Sequence, residues 1–178
     1  AGLAESLAII GSYPQELVNC SNGKAETTAI LAVRELFKDA DWVLWGSLDG
    51  LLPLIAEAAP REFLSSVEKA LSMTPCPFDE LYSQEGSGLM GGNYMVGLLW
   101  ALESLAWDEQ YLSIVTVIFG ELASHDPGGQ SANRPLASLI TIFLPWMPQT
   151  IASVEKRHAA IKSLCKEQTP IAWSLLLS

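Results

Sequence analysis

Apolar residues recur at spacings of three and four along almost the whole of this chain, and no segment sustains a two-residue alternation. A chain with that pattern buries its apolar stripes as helices packed on helices. From Lys24 to Lys38 the stripe is Ile30, Leu31, Val33, Leu36 and Phe37; after Pro60 it is Phe63, Leu64, Val67 and Leu71. Tyr111 to Phe119 is rich in β-branched residues, but its length and its helical flanks suit a helix. The expected fold class is all-α.

Breaking and capping residues divide the stripe into segments. Gly11 and Pro14 end a first helix over AGLAESLAII. Asp41 is placed to cap a helix carrying Trp42, Trp45, Leu48, Leu52 and Ile55, which Pro53 kinks or splits near Asp49-Gly50. Pro60 opens the next helix where a missing N–H costs little. One helical turn fits Phe78 to Tyr82 within an irregular connection, and a long apolar helix follows from about Asn93 to Ala106. Asp108 has the position of an N-cap, with Trp107 and Leu112 spaced as a hydrophobic staple, for a helix reaching about Ser124. Further helices are expected over roughly 135–144 and 151–167 and from Pro170 onward.

A shift of 48 residues aligns Leu51 with Leu99, Leu54 with Leu102, Ala58 with Ala106, Leu64 with Leu112, Ser65 with Ser113 and Val67 with Val115. That period is close to the ~40–47 residues of HEAT and armadillo repeats. The expected architecture is antiparallel helix pairs stacked as a HEAT/armadillo-like solenoid or an irregular helical array, in a single domain over residues 1–178.

The run from Ser124 to Thr150, SHDPGGQSANRPLASLITIFLPWMPQT, concentrates the unusual residues. Asp126-Pro127-Gly128-Gly129 has the chemistry of a turn with positive φ at its third position. Asn133 is placed to cap a helix with Pro135 in its first turn, and Pro145 to stop it. Trp146 is the expected anchor covering the corner, and Thr150 the cap of the next helix. Arg134 has hydrogen-bonding capacity to spare, for loop carbonyls or for Glu103, Glu121 or Asp126. His125, Asn133, Arg134 and Trp146 therefore form the candidate polar corner site, and the pair Trp42 and Trp45 a candidate protein-contact patch, although the six tryptophans as a set are expected at helical core or corner positions, with core packing the assignment for these two as well.

Charge narrows the partners. The net charge is −10, and residues 1–89 carry 13 acidic against 5 basic side chains. Phosphate contacts dominate nucleic-acid affinity, so a chain this acidic is a poor candidate for it and no nucleic-acid partner is expected. The one basic cluster, Lys156, Arg157, His158, Lys162 and Lys166, shares its helix with Glu155 and Glu167 and reads as a solvated face. Cys20, Cys76 and Cys165 lie far apart without metal spacing, and no metal or cofactor is assigned. An odd cysteine count without a secretory signal fits a reducing, cytoplasmic setting. Residues 135–154 carry no charge, but Pro145 and Pro148 break them, so no membrane span is expected.

Three other motifs fail on context. Gly86-Ser87-Gly88-Leu89-Met90-Gly91 fits GxGxxG by letter, yet an acidic segment rather than a strand precedes it. Ser124, His125 and Asp126 are sequence neighbours, which seldom take triad geometry, and no nucleophile elbow is present. Glu103 and Asp108 lack the placement of an acid–base pair.

Hydrophobic residues make up 49% of the chain, charged residues 17%, and the sequence stops at Ser178 within the apolar run IAWSLLLS. Those features are expected of a piece of a longer protein whose faces stack on neighbours. The runs GLLWALESLAWDEQYL and DPGGQSANRPLASLITIFLPWMPQT and the late AWSLLL resemble a helical region of large bacterial multidomain proteins, some associated with STAND-type NTPases. The resemblance covers roughly residues 50–178 and is carried by Asn133, Arg134, Pro135, Pro145, Trp146, Pro148 and Gln149. It implies a scaffold beside a separate signalling or enzymatic domain. The expected function is a non-enzymatic scaffold contacting other domains of its parent chain or a protein partner. The alternative is a small-ligand or enzymatic site near His125 and Arg134.

Overall fold

The computed structural model describes residues 2–17, 19–20, 23–85, 92–129 and 131–178, and among them every regular element is a helix. In chain order these are α1 (Gly2–Ser12), α2 (Lys24–Leu36), α3 (Trp42–Ser47), α4 (Leu52–Ala58), α5 (Pro60–Leu71), α6 (Pro77–Ser83), α7 (Val96–Ala106), α8 (Leu112–His125), α9 (Pro135–Ile142), α10 (Val154–Glu167) and α11 (Thr169–Leu176). Prolines set many of the starts: Pro53, Pro60, Pro77, Pro135 and Pro170 sit in first turns, where no intrahelical N–H donor is required. Asp41 caps α3, accepting from the Leu44 N–H at 2.9 Å. The split between α3 and α4 falls on a 3-10 turn at Asp49–Leu51, next to Pro53.

Three boundaries differ from the sequence expectation. Asp108 does not cap α8; its carboxylate accepts from the backbone and side-chain N–H groups of Gln110, at 2.9 and 2.8 Å, and closes a turn of its own. The cap of α10 is Ser153, whose Oγ accepts from Lys156 N–H at 3.3 Å. Thr150 instead donates to the Trp107 carbonyl and accepts from Ala152 N–H. Arg134, not Asn133, holds the N-cap position of α9, without a side-chain cap bond.

The helices pack in two rows. In one, α1 lies against α4, α4 against α7 and α7 against α9; in the other, α2 lies against α5, α5 against α8 and α8 against α10. Cross-contacts α1–α2, α2–α4, α4–α5, α7–α8 and an extensive one between α8 and α9 join the rows, while α3 and α6 touch each other and α11 packs on α10. A continuous core runs through all of this from Val33 to Leu175. Its aromatic centre is Trp45, stacked on Phe37 with ring centroids 4.3 Å apart and edge-on to Phe63 and Phe78. Two glycines permit the close approach of the first row. A Cβ at Gly11 would collide with the Ala58 carbonyl of α4, and one at Gly97 with the Asp49 carbonyl. Gly97 N–H also donates to the Asp49 carboxylate at 2.6 Å.

The tryptophans overturn the sequence expectation of core and corner positions. Of the six, only Trp45 is buried; Trp42, Trp100, Trp107, Trp146 and Trp173 are exposed. Trp146 does not cover its corner, because 80% of it faces solvent. Helix α7 explains the misreading: it is apolar nearly all round, and Leu98, Ala101, Leu102 and Leu105 take the inner face. Hydropathy does not choose between two apolar faces of one helix; the neighbours do.

Candidate functional site

Helix α6, the C-terminal end of α8 and the loop leading to α9 meet in a polar corner. Arg134 is its hub, with 13% of its side chain exposed. Nη1 donates to Asp126 Oδ1 at 2.8 Å, and Nη2 donates to both oxygens of Glu85, at 2.8 and 2.6 Å. Asp126 also accepts from Gly128 N–H at 2.9 Å, and Gly128 takes φ of +80°, the left-handed conformation its Asp-Pro-Gly turn predicts. Glu85 was not a sequence candidate for Arg134, since 49 residues separate them. Glu103, one of the partners the sequence suggests, accepts from Ser138 Oγ instead, at 2.6 Å. Tyr82 donates to the Leu122 carbonyl at 3.2 Å, satisfying one of the acceptors that the end of α8 leaves open. Burial, reinforced by the Asp126 charge, pushes the Tyr82 phenol far above its ordinary range.

His125 ends α8 and turns towards α6, where its Nδ1 lies 2.7 Å from Asp79 Oδ1. Cys76, at the N-cap position of α6, completes a cluster in which a ligand atom of each residue lies within 4.8 Å of the others. Cys76 is buried, His125 half-buried and Asp79 exposed. Burial pushes the Cys76 thiol up; the N–H groups of Phe78 and Asp79 pull it down, and the charges of Asp79 and Glu121 push it up again. A thiol so placed is a poor free nucleophile. Sequence reasoning missed this cluster. Its only local signal is the i, i+3 spacing of Cys76 and Asp79, and nothing in the sequence says which helix end meets α6.

The remaining candidates lie elsewhere. Asn133 is exposed, and its N–H donates to Ser131 Oγ at 3.3 Å. Trp146 stands beyond the opposite end of α9 from Arg134, so it does not belong to the corner. Trp42 is 37% exposed beside Val43, whereas Trp45 is 1% exposed and forms no surface patch. The Gly86–Gly91 segment lies outside the described residues. In the basic cluster, Lys156 pairs with Glu109 at 2.7 Å.

A second feature is apolar. Trp100 of α7 and Trp107, the C-cap residue that follows the helix, are seven residues apart and both exposed on its outer side. Beside them a cleft of about 470 Å³ runs between α7 and α9, lined by Glu103, Ser104, Trp107, Thr141, Ile142 and Gln149. The segment after α9 is pinned to this edge: Gln149 N–H donates to the Ile142 carbonyl and Ile151 N–H to the Trp107 carbonyl, each at 3.1 Å. A cleft of about 280 Å³ between α9, α10 and α11 is walled by Phe143, Pro145, Trp146 and Leu175. Neither cleft is lined by His125 or Arg134.

Comparison with protein-family models, with characterised proteins and with solved structures finds no match to this chain. No helix among the described residues is long and apolar enough to cross a membrane.

Proposed function

We propose that the chain is a non-enzymatic helical-repeat scaffold, a HEAT/armadillo-like array that holds a protein partner or a neighbouring domain of its parent chain. The observation that carries this reading is the outward placement of five of six tryptophans, with Trp100 and Trp107 on one face beside the α7–α9 cleft. Exposed aromatic groups rimmed by polar ones have the composition of interface anchors. With a net charge of −10, the partner suited to this face carries apolar side chains flanked by basic ones.

The array reading is supported by the two rows of helix contacts. Burial supports it as well. At a shift of 48 residues, Leu64, Val67, Ala70 and Leu71 of α5 correspond to Leu112, Val115, Ile118 and Phe119 of α8, and all eight are buried. In the preceding helices the buried positions align at 46 instead: Leu52, Ile55, Ala56 and Ala59 with Leu98, Ala101, Leu102 and Leu105. The two extra residues enter between the aligned positions, where four residues separate Ala59 from Leu64 and six separate Leu105 from Leu112. The letter matches of Leu51 with Leu99 and Leu54 with Leu102 therefore pair half-buried positions with buried ones, while Ala58 and Ala106 are both buried.

The test is affinity capture from the native host with three baits: wild type, a W100A/W107A variant and a D79N/H125Q variant. A partner kept by the wild type and the corner variant but lost from the tryptophan variant supports the reading. Capture that ignores the tryptophans removes it. The ligand-site reading of the corner has one observation in its favour, the Cys76–Asp79–His125 cluster. Arg134 is not one of its members; its Nη1 and Nη2 donate to Asp126 and Glu85.

A further inference from the structure

We infer that Cys76, Asp79 and His125 form a binding site for a divalent transition metal of the zinc type, clamping the first turn of α6 to the end of α8. The ligand atoms lie within 4.8 Å of one another. A tetrahedral site with metal–ligand bonds of about 2.0–2.3 Å needs them about 3.3–3.8 Å apart. Closure thus requires shifts of about 1 Å, within the reach of side-chain torsions at half-buried His125 and exposed Asp79.

The donor set selects the metal class. Thiolate with imidazole suits zinc and its neighbours and disfavours magnesium and calcium, which take oxygen ligands. Local charge also favours a cation: Asp79 and Glu121 both act on Cys76, and Glu121 lies one helical turn before His125 on α8. The Arg134 cation of the same corner is paired with Glu85 and Asp126. Burial of Cys76, 4% exposed, keeps a substrate from its sulfur but leaves a metal ion reachable through His125 and Asp79. On binding, the sulfur–metal bond forms as the thiol proton leaves to solvent, and solvent completes the fourth position. The 2.7 Å contact already holds His125 Nδ1 and Asp79 Oδ1 side by side; on binding, that hydrogen bond gives way to two metal bonds and the ring proton passes to Nε2.

The test uses tag-free, chelator-treated protein titrated with Co(II) and then Zn(II). The expected result is one equivalent of Co(II) with a thiolate-to-cobalt charge-transfer band and intense tetrahedral visible bands, both abolished by Zn(II). Asp79→Asn and His125→Gln, whose side chains are not fully buried, should keep the helical circular dichroism and lose about a hundred-fold or more in affinity. Cys76→Ser should lose the charge-transfer band, while Cys20→Ser and Cys165→Ser keep it. Octahedral cobalt spectra without a thiolate band, or unchanged affinity in folded Asp79→Asn and His125→Gln, would overturn the assignment.

Discussion

The polar corner gives the sharpest energetic test. Replacing Arg134 by Met keeps most of the side-chain volume but strips the cation from two carboxylates. Arg134 and Asp126 have 13% and 12% of their side chains exposed, and Glu85 has 21%. Removing one partner of a fully buried ion pair costs about 3–5 kcal/mol, because it leaves an uncompensated charge. Water reaches Glu85 in part, so the expected loss here is about 2–4 kcal/mol. For a chain of this size that lowers the thermal midpoint by about 4–15 °C. Adding Glu85→Gln and Asp126→Asn removes the stranded charges and should recover much of the loss, giving a coupling of about 1–3 kcal/mol. Asn at position 126 retains an oxygen for the Gly128 N–H. Urea denaturation followed by circular dichroism measures each variant. A loss below about 0.5 kcal/mol for Arg134→Met, or strict additivity across the set, would refute the claim that this corner is a desolvated charge network.

Three further outcomes follow from the packing. Trp45→Ala should cost about 3–5 kcal/mol by denaturant titration, and Trp45→Phe markedly less, since its buried Nε1–H has no acceptor among the described residues. Gly11→Ala should destabilise by about 1–3 kcal/mol, because the new methyl meets the Ala58 backbone; an unchanged midpoint would mean α1 and α4 are farther apart. The hydrogen bonds from Arg34 hold the Glu62 carboxyl below its ordinary range, so the pair stabilises above the usual carboxylate range and that contribution fades as pH falls through the lowered value. Glu62→Gln should therefore weaken the fold at neutral pH and not in strong acid, as read from thermal midpoints across pH.

What the sequence made legible was local. Asp41 as a cap, the break near Asp49-Gly50, the helix starts at Pro60 and Pro135 and the turn at Gly128 follow from one or two residues each. What it hid was relational. Asp108 had the letter of a cap, yet Gln110 offers its carboxylate two donors first. Arg134 found Glu85, and His125 found Asp79, across 49 and 46 residues, because packing brings α6 to the end of α8. The tryptophans were misplaced for the same reason: in an apolar helix such as α7, the inner face is fixed by the neighbours already there.

The central claim is that the tryptophan face serves contact rather than folding, and the W100S/W107S variant tests it most directly. Its unfolding free energy should stay within about 1 kcal/mol of wild type, as for substitutions at exposed positions, while the captured partner is lost. A loss of stability of several kcal/mol, as after emptying a core, or a folded variant that binds the same partner undiminished, would contradict it.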